Sequence, residues 1–110
     1  MLADAGGPGF QGVQLGFQAG FGSSGVSYSG NIFLGYQAGL NETGNNKLYI
    51  ENSSSGTPLI YGEFDNKLLR VNGTLHIGND YHFPLADGTS GQVLATDGSG
   101  AIGWTTVTTG

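Results

Sequence analysis

The sequence LGFQAG at residues 15–20 returns as LGYQAG at residues 34–39, with a spacing of 19 residues. In both copies an apolar lead-in, GVQL or NIFL, ends at a glycine and is followed by a short QAG segment. We interpret each lead-in as a β-strand and each QAG segment as a turn that reverses the chain. Self-similarity at such a period is typical of a solenoid coil or a stacked array. The repeat therefore favours a β-structure in which successive coils lie on one another.

The repeat changes after its second copy. Residues 46–50, NKLYI, resemble a third lead-in, but the spacing is shorter and no QAG segment follows. We therefore expect the repeats to end near Asn45. This boundary divides the chain into a repeat region, residues 1–45, and a second region, residues 46–110.

The second region alternates short strand patterns with turn residues, which is typical of β-hairpins. Asp65-Asn66 lies between strand-like segments at 57–64 and 67–71 and predicts a two-residue hairpin turn. Further turns are expected at residues 72–73, 78–80 and 97–100. No segment of the chain combines helical spacing with helix caps. The sequence therefore predicts an all-β fold.

Composition excludes several classes of function. Three basic residues and a net charge of -5 cannot supply a surface that tracks nucleic-acid phosphates. The absence of cysteine excludes disulfides, thiolate zinc sites and a thiol nucleophile. No apolar stretch is long enough for a membrane helix, so we expect no membrane insertion. No cofactor is expected either.

Glycine makes up 22 of the 110 residues. In a strand interior each glycine costs roughly 0.5 to 1 kcal/mol relative to alanine, and a domain is stable by only about 5 to 15 kcal/mol. A lone monomer of this composition would be marginally stable. The glycines therefore favour turn positions or burial of the chain against other subunits.

Two stretches resemble known fibre proteins. The segment NIFLGYQAGLNETGNN, residues 31–46, resembles the head repeats of YadA-like trimeric autotransporter adhesins, which form trimeric β-rolls. The segment YHFPLADGTSGQVLATDGSGAIGWTT, residues 81–106, resembles the shaft sequence of phage tail fibres and related bacterial fibre proteins, often found just before an endosialidase-type intramolecular chaperone.

These resemblances imply a homotrimeric fibre with a short β-roll over residues 1–45 and an interwoven β-strand shaft or β-prism over residues 46–110. They also imply an extracellular location, on a virion tail fibre, a bacterial surface or an injection apparatus. The expected partners are two further copies of the chain, neighbouring fibre segments, and a cell-surface glycan or protein receptor. We expect the chain to be part of a longer fibre.

Candidate catalytic and metal-binding residues are few. His76 and His82 lie on opposite sides of the expected turn at residues 78–80, and we interpret them as structural histidines and not as a metal site. Glu63 and Asp65 are the nearest approach to a carboxylate pair, but the turn already requires Asp65. The DGSG segment at residues 97–100 lacks the further carboxylates of a calcium loop and predicts a plain turn. No catalytic residue is assigned.

The aromatic residues are the candidate contact sites. Phe17 and Tyr36 occupy equivalent positions in the two repeats, and Trp104 lies in the last expected strand. Aromatic side chains contribute strongly to cores and interfaces. We expect Phe17, Tyr36 and Trp104 either to pack at a core or subunit interface or to form a surface on which a glycan stacks.

The sequence thus favours a structural and adhesive segment of a trimeric fibre that carries or forms a receptor-binding tip and has no enzymatic activity. Two alternatives stay open. One is a trimeric fibre-tip module that degrades glycans, with a site between chains. The other is a monomeric carbohydrate-binding β-sandwich, although the 19-residue repeat argues against it.

Overall fold

The computed structural model describes residues 11–23 and 29–108, and this part of the chain is all-β, as predicted. It contains nine β-strands, one 3-10 turn and no α-helix. The strands are β1 Gln11–Leu15, β2 Ser29–Leu34, β3 Lys47–Ile50, β4 Ile60–Glu63, β5 Leu68–Val71, β6 His76–Ile77, β7 Tyr81–His82, β8 Gln92–Thr96 and β9 Ile102–Thr106. The 3-10 turn is Phe21–Ser23. None of the described residues forms a helix of the length and apolar character that a membrane span requires.

The main sheet has the strand order β1-β2-β3-β4-β5, and the 19-residue spacing of the repeat sets the register between its first two strands. Strands β1 and β2 are parallel, and Leu15 pairs with Leu34, its equivalent in the next repeat. Strand β3 adds a third parallel strand, in which Ile50 pairs with Leu34. Strands β4 and β5 then continue the same sheet in antiparallel fashion.

Close approach between successive turns explains the repeated glycine that ends each lead-in. Gly35 has a φ of 121°, and a Cβ there would overlap the carbonyl oxygen of Glu51. Gly16 has a φ of 135° and lies in the same way against the backbone of Gly35. Only glycine adopts this backbone conformation readily and leaves room for the neighbouring chain.

Among the described residues, the buried hydrophobic cluster of the first sheet comprises Ala19, Phe33, Ala38 and Tyr49, and Tyr61 packs against it. Asn31 is also buried, and its side chain accepts a hydrogen bond from Lys47 N (2.8 Å) and donates one to Gly44 O (2.9 Å). This amide therefore joins the second strand to the segment that leads into the third.

The chain divides into two compact units after Asn72. The sequence had placed a boundary near Asn45, but β3 pairs with β2, and β4 and β5 extend the same sheet. Loss of the QAG turn therefore does not end the sheet. The assignment of residues 1–45 to a roll and of residues 46–110 to a shaft stays a prediction.

The second unit consists of two antiparallel hairpins, β6-β7 and β8-β9. No residue between 73 and 108 is buried. The expected turns at residues 78–80 and 97–100 are confirmed as the turns of these two hairpins.

The β4-β5 hairpin is also confirmed, but its turn is longer than expected. Glu63 pairs with Leu68, so the turn comprises residues 64–67 and not only Asp65-Asn66. The amide of Phe64 donates to Asn46 O at 2.8 Å instead of pairing across the hairpin, and Lys67 adopts a left-handed φ of 53°. The wider turn follows from these two features.

Candidate functional site

Phe17 and Tyr36 form an exposed aromatic stack on the first unit. Their ring centroids are 5.6 Å apart and their planes differ by 8°. Both residues are exposed, Phe17 by 61% and Tyr36 by 49%. The parallel pairing of β1 with β2 thus brings the two repeat aromatics together, and they present apolar surface to the solvent.

The QAG turns hold this stack in place. Gln18 and Gln37 adopt left-handed φ values of 59° and 57°, and Gln37 Nε2 donates to Gln18 Oε1 at 2.8 Å. In the backbone, Gln37 N donates to Phe17 O at 2.8 Å and Gly20 N donates to Ala38 O at 2.9 Å. Side-chain and main-chain hydrogen bonds thus fix one turn directly against the next.

Trp104, the third candidate aromatic, belongs to the second unit. It pairs with Leu94 across the β8-β9 hairpin, and its indole Nε1 donates to Ala86 O at 2.8 Å. A Cβ on Gly88 would lie 2.6 Å from the indole, so the ring lies against this glycine. Trp104 is 36% exposed. The indole N–H thus has its hydrogen-bond acceptor within the chain, while part of the Trp104 surface stays accessible to solvent.

A polar pocket of about 160 Å³ lies in the first unit, and the sequence did not predict it. Its lining residues are Gly39, Asn41, Glu42, Thr43, Tyr49, Ser54, Ser55 and Gly56. Glu42 provides a carboxylate in this lining. Glu42 and Tyr49 come from different segments of the chain, and no short sequence motif links them to residues 54–56.

Glu42 is fixed by several hydrogen bonds. Its Oε2 accepts from Gly44 N at 2.8 Å and from Thr43 N at 3.1 Å, and its Oε1 accepts from the Tyr49 hydroxyl at 2.8 Å. Burial, together with the Glu42 carboxylate, raises the pKa of Tyr49 well above its ordinary value. The phenol therefore stays protonated and keeps donating to Glu42.

Glu63 belongs to a separate polar group around Tyr61. The Tyr61 hydroxyl donates to Glu63 Oε2 at 2.6 Å, Asn66 Nδ2 donates to Oε1 at 2.7 Å, and the Arg70 guanidinium lies 5.0 Å from the Tyr61 ring centroid. The hydrogen bond to Glu63, with burial, raises the pKa of Tyr61 to about 12. The same hydrogen bonds lower the pKa of Glu63. Glu63 thus braces the hairpin, and Asp65 lies in its turn.

His76 and His82 are cross-strand partners in the β6-β7 hairpin, and their ring centroids are 5.0 Å apart. The expected break at residues 78–80 turns the chain back, which explains the contact between the two rings. Among the described residues, no group of three or more His, Cys, Asp or Glu side chains could hold a metal ion.

Asp97 stabilises the tip of the β8-β9 hairpin. Its Oδ1 accepts from Ser99 N at 2.7 Å and from Ala101 N at 3.0 Å, and these backbone hydrogen bonds lower its pKa. A carboxylate used in this way performs the role of a turn residue.

Comparison with protein-family models, with curated proteins and with solved structures found no match for this chain.

Proposed function

We propose that this chain is a structural and adhesive segment of a homotrimeric, extracellular fibre. The single observation that carries the proposal is the second unit, in which no residue from 73 to 108 is buried. The exposed large apolar residues of this unit are Leu75, Ile77, Tyr81, Leu85, Val93, Leu94, Trp104 and Val107. A two-stranded hairpin is marginal on its own in water. Apolar surface of this extent favours cover by further copies of the chain.

The first unit offers a second surface of the same kind. Side chains alternate between the two faces of a strand, and Phe33 and Tyr49 belong to the buried face. The opposite face carries the cross-strand row Leu15, Leu34 and Ile50. Leu15 and Ile50 are exposed, and Leu34 is only half-buried. An apolar row along three parallel strands favours contact between subunits.

The parallel repeats and the hairpins agree with a short β-roll followed by a shaft or β-prism. The resemblance of residues 31–46 to adhesin heads and of residues 81–106 to fibre shafts supports threefold symmetry. Trimeric presentation would raise the avidity of weak contacts with a surface glycan or protein through effective concentration. Neighbouring fibre segments are the other expected partners, and we propose no enzymatic activity.

Sedimentation of two variants tests this assembly. Leu34→Asp places a charge in the apolar row of the first sheet, and Leu94→Asp does so in the second unit. Both are expected to convert a trimer into monomers, since burying an unpaired charge costs several kcal/mol. Ser99→Asp, at the exposed tip of the β8-β9 turn, introduces the same charge as a control and is expected to stay trimeric. A wild-type chain that sediments as a monomer would refute the proposal.

A further inference from the structure

The polar pocket beside Glu42 carries the chemistry of a ligand site. Its lining combines one carboxylate with the hydroxyl-bearing residues Thr43, Tyr49, Ser54 and Ser55. The carboxylate does not have to be ordered by a ligand, because two backbone amides and the Tyr49 hydroxyl already hold it. A fixed acceptor loses little conformational entropy when it binds a donor.

Ser54 adds a hydrogen-bonding group that the chain does not use. It is half-buried, and among the described residues no hydrogen bond involves its hydroxyl. Its neighbour Ser55 is already engaged, with Oγ accepting from Thr57 N at 3.0 Å. The pocket therefore offers an acceptor in Glu42 and a donor and acceptor in the Ser54 hydroxyl.

We propose that this pocket binds a single ring of a neutral sugar. A volume of about 160 Å³ is well below the roughly 300 to 1,000 Å³ of drug-sized sites and suits one six-membered ring. Sugar hydroxyls donate to carboxylates and exchange hydrogen bonds with serine. None of the described residues that line the pocket is a lysine, arginine or histidine, and Glu42 would repel a second carboxylate. Acidic sugars are therefore excluded.

This inference rests on the adhesive part of the proposed function, since it names the class of receptor. It does not require the trimer, because residues between 39 and 56 of a single chain suffice to line the pocket. The two proposals can therefore fail separately.

Gly56 permits a direct test because it lines the pocket without structural constraint. A Cβ added there meets nothing within 4 Å, and its φ is not in the left-handed region. Gly56→Leu is expected to fold and to fill the pocket. Asn52→Leu, at an exposed position of the same loop that does not line the pocket, is the matched control.

The experiment is an NMR titration of the full chain with the methyl glycosides of glucose, galactose, mannose and N-acetylglucosamine. N-acetylneuraminic acid serves as the acidic probe. At least one neutral glycoside is expected to bind with a Kd of about 1 to 10 mM, with shifts of the Ser54 and Gly56 amides. Ser54→Ala should weaken binding roughly threefold to tenfold, Gly56→Leu should abolish it, and Asn52→Leu should leave it unchanged.

Absence of binding by all four neutral glycosides would overturn the inference. So would tighter binding of N-acetylneuraminic acid, or unchanged binding by Ser54→Ala. The mass in solution separates this inference from the proposed assembly: a trimer that binds no sugar refutes only the pocket, and a monomer that binds one refutes only the fibre.

Discussion

Phe17 and Tyr36 stack with their ring planes 8° apart although 19 residues separate them in the sequence. The 19-residue spacing of the repeat therefore places these two side chains in direct contact. The same spacing brings the Gln18 and Gln37 amides into a hydrogen bond. The two copies of the repeat are therefore joined at their turns as well as along their strands.

The aromatic stack should contribute measurably to stability. Phe17→Ala removes one ring of the pair and is expected to lower the free energy of unfolding by about 1 kcal/mol or more, since a stacked pair contributes roughly 0.5 to 1.5 kcal/mol beyond area burial. Phe21→Ala, at another exposed aromatic, is the control and should have the smaller effect. Urea denaturation measures both, and equal effects would contradict a specific role for the stack.

Asn31 should be far more sensitive than its polarity suggests. Asn31→Ala leaves Lys47 N and Gly44 O without their side-chain partner, and a buried group left unsatisfied costs about 1 to 3 kcal/mol. Asn79→Ala, at an exposed position, is expected to change stability by less than about 0.5 kcal/mol. A loss below about 0.5 kcal/mol for Asn31→Ala would show that this bridge contributes little.

Gly35 should not tolerate a side chain. Gly35→Ala places a Cβ against the carbonyl of Glu51 and keeps a φ of 121°. Strain of this kind costs roughly 1 to 3 kcal/mol. Gly103→Ala is the control because nothing lies within 4 Å of the added Cβ. Thermal unfolding compares the two variants, and a Gly35→Ala protein as stable as the control would contradict the close approach of the turns.

Stability should decrease under acidic conditions. The pKa of Glu51, Glu63 and Asp97 is lowered in the fold by hydrogen bonds to each carboxylate. Groups with a lowered folded pKa stabilise the protein above their unfolded pKa, and this stability is lost as the pH falls through the folded value. The free energy of unfolding should therefore decrease as the pH drops below about 4.5, the ordinary pKa of glutamate. Glu63→Gln should reduce this dependence, and a pH-independent denaturation midpoint would contradict it.

The sequence predicted much of the fold because the repeat is itself a structural period. Leu15 and Leu34 occupy equivalent positions in the two copies of the motif, and they pair with each other in the sheet. Turn residues likewise located the hairpins, since residues such as Asp97 form local hydrogen bonds that depend on few neighbours. The number of residues in the turn after β4 was wrong because a distant partner, Asn46 O, holds the Phe64 amide.

The candidate site was less predictable. Equivalent positions in the motif were enough to select Phe17 and Tyr36. The pocket was missed because Glu42, Tyr49 and Ser54 meet through loop geometry, for which the sequence has no period or motif.

The most direct measurement is the molar mass of the chain in solution by light scattering, from millimolar to micromolar concentration. We expect a species of three times the 11.3 kDa chain mass that persists on dilution, since no residue from 73 to 108 is buried within the single chain. A folded monomer with both hairpins intact at micromolar concentration would contradict the proposed trimeric fibre.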